Sequence, residues 1–270
     1  MLHFYLIKWR GDYLNILAIG DVVAKVGCNF LRDKLSKLKE IKEIDLVIAN
    51  GENSADGNGI TPYSAKQLFS AGVDVITTGN HAFRRKEVYE ELNRNPYIIR
   101  PINYPKRTTP GKGSCIINVK GINVRIINLI GNVYIDSFAC PFLAMDEILE
   151  KDKEPIITIV DFHAEATAEK RAMGFYLDGR ISAIFGTHTH IQTADQTILE
   201  KGTGYITDLG MTGTIDSVLG VKKELSIRKM KEKMPVRFET SVGECKMDCV
   251  VFNIDEQTGK TKAISRLQIK

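Results

Sequence analysis

Short β-branched apolar runs that stop abruptly at polar residues recur along this chain. Asn15–Gly20 (NILAIG) runs into Asp21, and Asp45–Asn50 (DLVIAN) runs into Gly51, Glu52 and Asn53. Val73–Thr78 (VDVITT) runs into Gly79, Asn80 and His81. Pro155–Val160 (PIITIV) precedes Asp161, Phe162 and His163, and Ile181–Phe185 (ISAIF) precedes Gly186, Thr187, His188, Thr189 and His190. Apolar runs of this length read as strands buried on both faces.

Helical patterns separate the early runs. Phe30–Ile41 places Phe30, Leu31, Leu35, Leu38 and Ile41 on one face, with lysines opposite. Tyr63–Gly72 follows Thr61-Pro62, a capping residue and a proline suited to the first helical turn, and stops at a glycine. Arg85–Asn93 is a third helical candidate. Strand alternating with helix from residue 15 to about 100 predicts βαβ units and a mostly parallel sheet. The second half is richer in strands, at Cys115–Val119, Val124–Leu129 and Gly204–Thr207, with a helix over Ala164–Leu177. The tail from Val236 to Ile269 alternates around a hairpin turn at Gln257-Thr258-Gly259-Lys260. No linker, low-complexity tract or fixed-period repeat interrupts it, so residues 1–270 are expected to form one domain with two sheets.

Composition narrows the class. The chain has 270 residues, 43% hydrophobic and 26% charged, and its 37 basic against 33 acidic side chains leave a net charge of +4. That balance excludes an acidic disordered protein and gives no strong electrostatic case for nucleic-acid binding. No apolar stretch reaches the ~20 residues that span a bilayer, and the N-terminal segment lacks the form of a signal peptide. Five scattered cysteines, an odd number in a chain too long to need staples, indicate reduced thiols and a cytoplasmic setting. Cys245 and Cys249, four apart, are expected on one face of a strand as packing residues.

The candidate chemistry lies at the ends of the apolar runs. Four of the five histidines, His81, His163, His188 and His190, stand there with Asp21, Glu52, Asn53 and Asn80. Ligands of α/β sheets collect at the carboxyl ends of strands. Taken singly, Asp21 reads as a helix cap, Glu52 as a solvated acid, Asn53 and Asn80 as turn residues, and His163 as a satisfied core histidine. Eight metal-competent side chains at five strand ends outweigh those separate readings. His188 and His190, two apart in an extended segment, are expected to point their rings the same way. Carboxylates, carboxamides and imidazoles without thiolate suit Mn, Fe or Zn. Seven ligands exceed one tetrahedral shell and suit two metals ~3.5–4 Å apart, a device for in-line attack by activated water at phosphorus.

These residues carry a resemblance. Gly20-Asp21, Gly51-Glu52-Asn53, Gly79-Asn80-His81, His163 and Gly186-Thr187-His188-Thr189-His190 resemble the ordered motif blocks of the calcineurin-like metallophosphoesterases. The longer strings IGDVV, NGENSADGNGIT, TTGNH, RPINYP, DFHAEATAEK, GTHTHIQTAD and ITDLGMTG are similar to the YmdB-type bacterial phosphodiesterase branch, from about residue 15 onward. The resemblance implies an α/β fold: a four-layer αββα sandwich of two mixed β-sheets flanked by helices. It also implies two metal ions, iron or manganese first and zinc second, and hydrolysis of phosphodiesters such as 2′,3′- or 3′,5′-cyclic nucleotides. By matching position, Asp21 would bind one metal with His190 and with Asn53 or nearby backbone, and Glu52 would bridge. Asn80, His163 and His188 would hold the second metal, and His81 would serve as general acid. Val23 stands where the wider superfamily has a further histidine, and Glu52 where an aspartate is usual; the YmdB-type branch shares both changes. Residues 1–14 match nothing in the family and read as an N-terminal extension or a misassigned start, with no role assigned.

Other motifs fail on inspection. Thr258-Gly259-Lys260-Thr261 mimics the end of a phosphate loop, but Ile254 occupies the position of the leading glycine. The aromatics form no stripe interleaved with basic residues, so no clear nucleic-acid surface is expected. With no spanning apolar stretch no membrane partner is expected either, and a homo-oligomer is compatible with the sequence. Three readings compete with the cyclic-nucleotide one: a phosphomonoesterase, an RNA-processing nuclease using the same centre, and a regulatory interaction protein with a structural metal site.

Overall fold

Period-two alternation along β1 (Tyr13–Ile19) divides its side chains between two cores. Leu14, Ile16 and Ala18 join one apolar cluster, and Leu17 and Ile19 join another. The computed structural model describes residues 12–56, 58–105, 109–151 and 157–270. Beyond β1, the first half contains β2 (Asp21–Val22), α1 (Ala24–Ile41), β3 (Leu46–Asn50), α2 (Pro62–Ala71), β4 (Val75–Thr77) and α3 (Val88–Arg94). Then follow β5 (Ser114–Val119), β6 (Ile122–Ile130), α4 (Pro141–Lys151), β7 (Ile157–His163), α5 (Thr167–Leu177) and β8 (Ala183–Thr187). The last elements are β9 (Thr197–Ile198), β10 (Gly204–Ile206), β11 (Met211–Thr214), α6 (Lys223–Glu232), β12 (Cys245–Asp255) and β13 (Thr261–Ile269).

Two mixed sheets form. One runs β2-β11-β12-β1-β3-β4, with β13 paired to β12, and the other runs β5-β6-β7-β8-β10-β9. Strands β1, β3 and β4 are mutually parallel, as are β6, β7, β8 and β10. The intersheet core joins Leu14, Ile16, Ile48 and Phe252 of the first sheet to Val124, Ile159, Phe185 and Ile206 of the second. Outside the first sheet, Leu17, Val47 and Ile76 pack on Leu31 and Leu35 of α1, Leu68 of α2 and Leu92 of α3. Outside the second, Val160, Phe162 and Ile184 pack on Met145 of α4 and Met173 and Leu177 of α5. The expected αββα order is therefore present. Each fully buried Leu, Ile or Phe contributes roughly 1.5–3 kcal/mol relative to exposure.

Several boundaries depart from the sequence pattern. Helix α1 begins at Ala24, six residues before Phe30, because Gly27 lets it lie directly on the Thr212 carbonyl of β11, where a Cβ would overlap the oxygen. α4 and α6 form where the pattern indicates no helix. The alternating tail begins as a strand at Cys245 rather than Val236; most side chains from Val236 to Thr240 are exposed, so no face is available to bury. The hairpin at Gln257–Lys260 is present, with Gly259 in the left-handed region at φ 66°. Cys245 and Cys249 are buried packing residues of β12. Residues Met1–Gly11 of the expected extension, and Pro155 and Ile156 of the expected fourth strand, lie outside the described residues. Among the described residues no helix is long and apolar enough to cross a membrane.

Candidate metal centre

Parallel pairing carries the polar run-ends to one edge of the sandwich. Asn50 and Thr77 are register partners closing β3 and β4, and Glu52 and Asn80 follow within three residues. In the facing sheet, β7 runs on through Asp161 to His163, and His163 is the register partner of Thr187, the last residue of β8. The polar ends then bond across the gap between sheets. Thr77 Oγ1 donates to Asp161 Oδ2, and Asn50 Nδ2 lies 3.4 Å from that oxygen and from Thr187 Oγ1. Gly79 is required beside this junction, since a Cβ there would overlap the His163 ring.

All eight predicted residues converge, seven of them in two groups. In the first, His163 Nε2 lies 2.8 Å from Asn80 Oδ1, 3.0 Å from His188 Nδ1 and 3.2 Å from Glu52 Oε1. Single ligand atoms of Glu52, His163 and His188 lie within 4.8 Å of one another. In the second, His190 Nε2 is 3.6 Å from Asp21 Oδ1 and 3.3 Å from Asn53 Nδ2. The His188 backbone N–H donates to Asp21 Oδ2 at 3.1 Å and ties the groups together. His81 stands beside them. Its backbone N–H donates to Glu52 Oε2 at 2.9 Å, and its Nδ1 lies 3.0 Å from Asn53 Oδ1.

The expected extended geometry of His188-Thr189-His190 is not what forms. Both histidines have positive φ, 100° and 62°, and their rings serve different groups. His188 reaches His163 on one side and Glu165 Oε2, at 3.0 Å, on the other, whereas His190 Nδ1 donates to the Leu219 carbonyl at 3.2 Å. Support for this turn comes from Asp208, whose Oδ2 accepts from the Thr189 N–H at 3.2 Å, Thr189 Oγ1 at 2.7 Å and the buried Lys170 ammonium at 2.7 Å. Asp21 does not cap α1, whose N-cap is Val23.

The donor set fits a cation. Three atoms with lone pairs crowd His163 Nε2, which carries at most one hydrogen. Glu52 Oε1, fully buried, has no hydrogen-bond partner although His81 Nδ1 and His163 Nε2 each lie 3.2 Å away. An orphaned buried carboxylate oxygen costs stability unless a cation satisfies it. Asn53 turns Nδ2 toward Asp21 and His190, and a half-turn of its amide presents Oδ1 to them instead.

Charge in the cluster is strongly coupled. Burial pushes the Glu52 carboxyl up, but His163 and His81 outweigh it and hold the group well below the usual range. Asp21 is lowered in the same way, with His190 overcoming burial. Burial opposes a proton on His163, yet Glu52, Asp21 and Asp161 raise it to about 9. His188 is pushed down to about 4 by burial and by His163. Acids and His188 are thus in the ligating state, and His163 must give up a proton to bind a cation.

Sequence reasoning missed Asn50, Thr77, Glu165, Thr187, Lys170 and Asp208. A trace exists for some: Thr187 adjoins the predicted His188, Glu165 and Lys170 lie within the motif string DFHAEATAEK, and Asp208 lies within ITDLGMTG.

Comparison with known proteins places the chain. A 2′,3′-cyclic-nucleotide 2′-phosphodiesterase of Bacillus subtilis is 44% identical over 257 residues, covering 95% of this chain and 97% of that protein. A crystal structure described as a novel phosphatase of Mycoplasma pneumoniae superposes with a TM-score of 0.91 at 35% identity, covering 96% and 94% of the two chains. A hypothetical protein of Thermus thermophilus gives 0.89 at 40% identity over 94% and 98%. The 5′-nucleotidase of Candida albicans, at 15% identity, a TM-score of 0.55, and coverage of 96% of this chain and 51% of that one, shares the fold alone. The model of the family described as YmdB-like protein matches residues 17–267, and the chain belongs to that family.

Proposed function

We propose that this chain is a metal-dependent phosphodiesterase that hydrolyses small phosphodiesters, 2′,3′-cyclic nucleotides foremost and 3′,5′-cyclic nucleotides second. The buried, unpartnered Glu52 Oε1, set among imidazole nitrogens with His81 alongside, carries this reading. The substrate class rests on the name of the Bacillus subtilis relative. Asp21, Asn53 and His190 would hold one divalent or trivalent ion, and Asn80, His163 and His188 another, with Glu52 between them. Iron or manganese suits these donors, and zinc is the next choice. Such ions supply positive charge against the phosphoryl oxygens and acidify water.

The remaining work falls to the protein's own groups. Glu52 Oε2 accepts the His81 backbone N–H and Asn53 lies beside its Nδ1, which leaves Nε2 to deliver a proton to the departing ribose oxygen. As the P–O bond to that oxygen breaks, the proton prevents a charged alkoxide from forming. Side chains of both sheets complete the site, so residues 1–270 act as one metallophosphoesterase unit. All five cysteines are free and four are buried, which suits a cytoplasmic enzyme.

The test is a substrate panel on protein reconstituted with manganese or iron: 2′,3′- and 3′,5′-cyclic nucleotides, a nitrophenyl monoester and a short RNA. Fastest turnover is expected on 2′,3′-cyclic nucleotides. Dominant monoester or RNA cleavage would replace the substrate assignment while keeping the centre, and no turnover on any of them with both metals bound would overturn the enzymatic reading.

A further inference from the structure

His163 and His188 face each other with unlike nitrogens, Nε2 of the first 3.0 Å from Nδ1 of the second. A cation taken up between them needs a lone pair on each, so each ring must carry its hydrogen on the opposite nitrogen. The groups behind the rings decide whether it does. On His163 the far nitrogen is Nδ1, 2.9 Å from Thr187 Oγ1. That hydroxyl has a single proton, and Asp161 Oδ1 accepts it at 2.7 Å. With Asp161 ionised, Oγ1 is therefore an acceptor toward the ring. Asn50 Nδ2, 3.5 Å from the same Nδ1, has nearer acceptors at 3.4 Å in Asp161 Oδ2, Thr187 Oγ1 and the Thr78 carbonyl. Asp161 is fully buried, and Thr77 and Asn50 donate to its other oxygen, so three donors converge on this carboxylate. On His188 the far nitrogen is Nε2, 3.0 Å from Glu165 Oε2, and an ionised carboxylate can only accept. Thr187, Asp161 and Glu165 are none of the residues assigned to hold metal. The fold enforces their placement: Thr187 is the cross-strand partner of His163, and Asp161 lies two residues earlier on the same face of β7.

We propose that Thr187, backed by Asp161, and Glu165 are positioning residues that keep the hydrogen of His163 on Nδ1 and that of His188 on Nε2, so that a metal ion is bound through Nε2 of one ring and Nδ1 of the other. This rests on the metal-centre reading above. Thr187 carries more of the effect than Glu165, because Glu165 is half exposed and competes with water.

The experiment loads the full chain, labelled with ¹⁵N-histidine, with ¹¹³Cd and reads metal–nitrogen couplings by NMR. Expected are a coupling to His163 Nε2 and one to His188 Nδ1. In parallel, cadmium affinity is measured for Thr187→Val and Thr187→Ser. Loss of an outer hydrogen-bond partner lowers metal affinity by ~10–100-fold, so T187V should fall by that factor while T187S stays close to the unsubstituted protein. A coupling through His163 Nδ1, or T187V folded with unchanged affinity, overturns the inference while leaving the centre in place. Failure of the unsubstituted protein to take up cadmium overturns the centre and the inference together. If T187V does not fold, the couplings in the unsubstituted protein decide alone.

Discussion

His81 and Glu52 touch one another but serve different ends, and single substitutions separate them. His81 holds its Nδ1 against Glu52 and Asn53 and is partly exposed, whereas Glu52 is wholly enclosed. Replacing His81 with alanine should lower kcat by ~10²–10⁴-fold, the range of general acid catalysis, and leave metal content unchanged by elemental analysis. The deficit should shrink on a substrate whose leaving group needs no proton, such as a nitrophenyl diester. Glu52→Gln is expected to act upstream of chemistry. It neutralises the carboxylate between both groups of ligands, so the purified variant should carry less metal and lose activity together with it. Full metal occupancy in E52Q would remove Glu52 from the bridging place proposed for it.

Among the elements, α5 has a larger part than its packing suggests. Its Lys170 is 2% exposed, and the ammonium reaches Asp208 in the loop between β10 and β11. Asp208 in turn holds Thr189, so one helix steadies the turn that presents both His188 and His190. Lys170→Met would leave Asp208 charged and partly unpaired in the interior, at a cost of about 3–5 kcal/mol. Urea unfolding should show this loss, and metal affinity should fall with it. Adding Asp208→Leu should recover part of the stability, because the stranded charge is gone, but not the metal affinity, because Thr189 loses its acceptor. Equal stability of the two variants would contradict this account. The same elements show how far local pattern reaches. The strands and α2 were legible because their apolar runs and the Thr61-Pro62 start are local signals. α6 was not, since Ser226 is its single buried residue and its pattern has almost no buried stripe to reveal.

At the scale of the whole molecule, the site joins the two sheets. Asn50 and Thr77 of one meet Asp161, His163 and Thr187 of the other, so ions held at that edge, as proposed, would also fasten the sandwich. Metal that binds only the folded chain stabilises it by mass action, about 2.7 kcal/mol at a hundredfold excess over Kd. Tm should therefore rise on adding manganese to the stripped protein and fall again with a chelator; Glu52→Gln should show a smaller rise. An unchanged Tm across the titration would mean that the cluster does not take up the metal. The apolar runs and their polar ends determined, from sequence alone, an α/β chain with two sheets and the eight residues that would meet, because burial of parallel strands is a local demand and their carboxyl ends share one edge. The four-layer αββα order came from the resemblance those motifs carry. Tertiary structure decided the rest. It set opposite duties for His188 and His190 through two positive-φ residues, and it brought Glu165 and Thr187 behind the rings. It also left Glu52 Oε1 without a partner. The physical reason is that strand register and hydrogen-bond direction arise between segments far apart in the chain, whereas hydrophobic periodicity is written within each one.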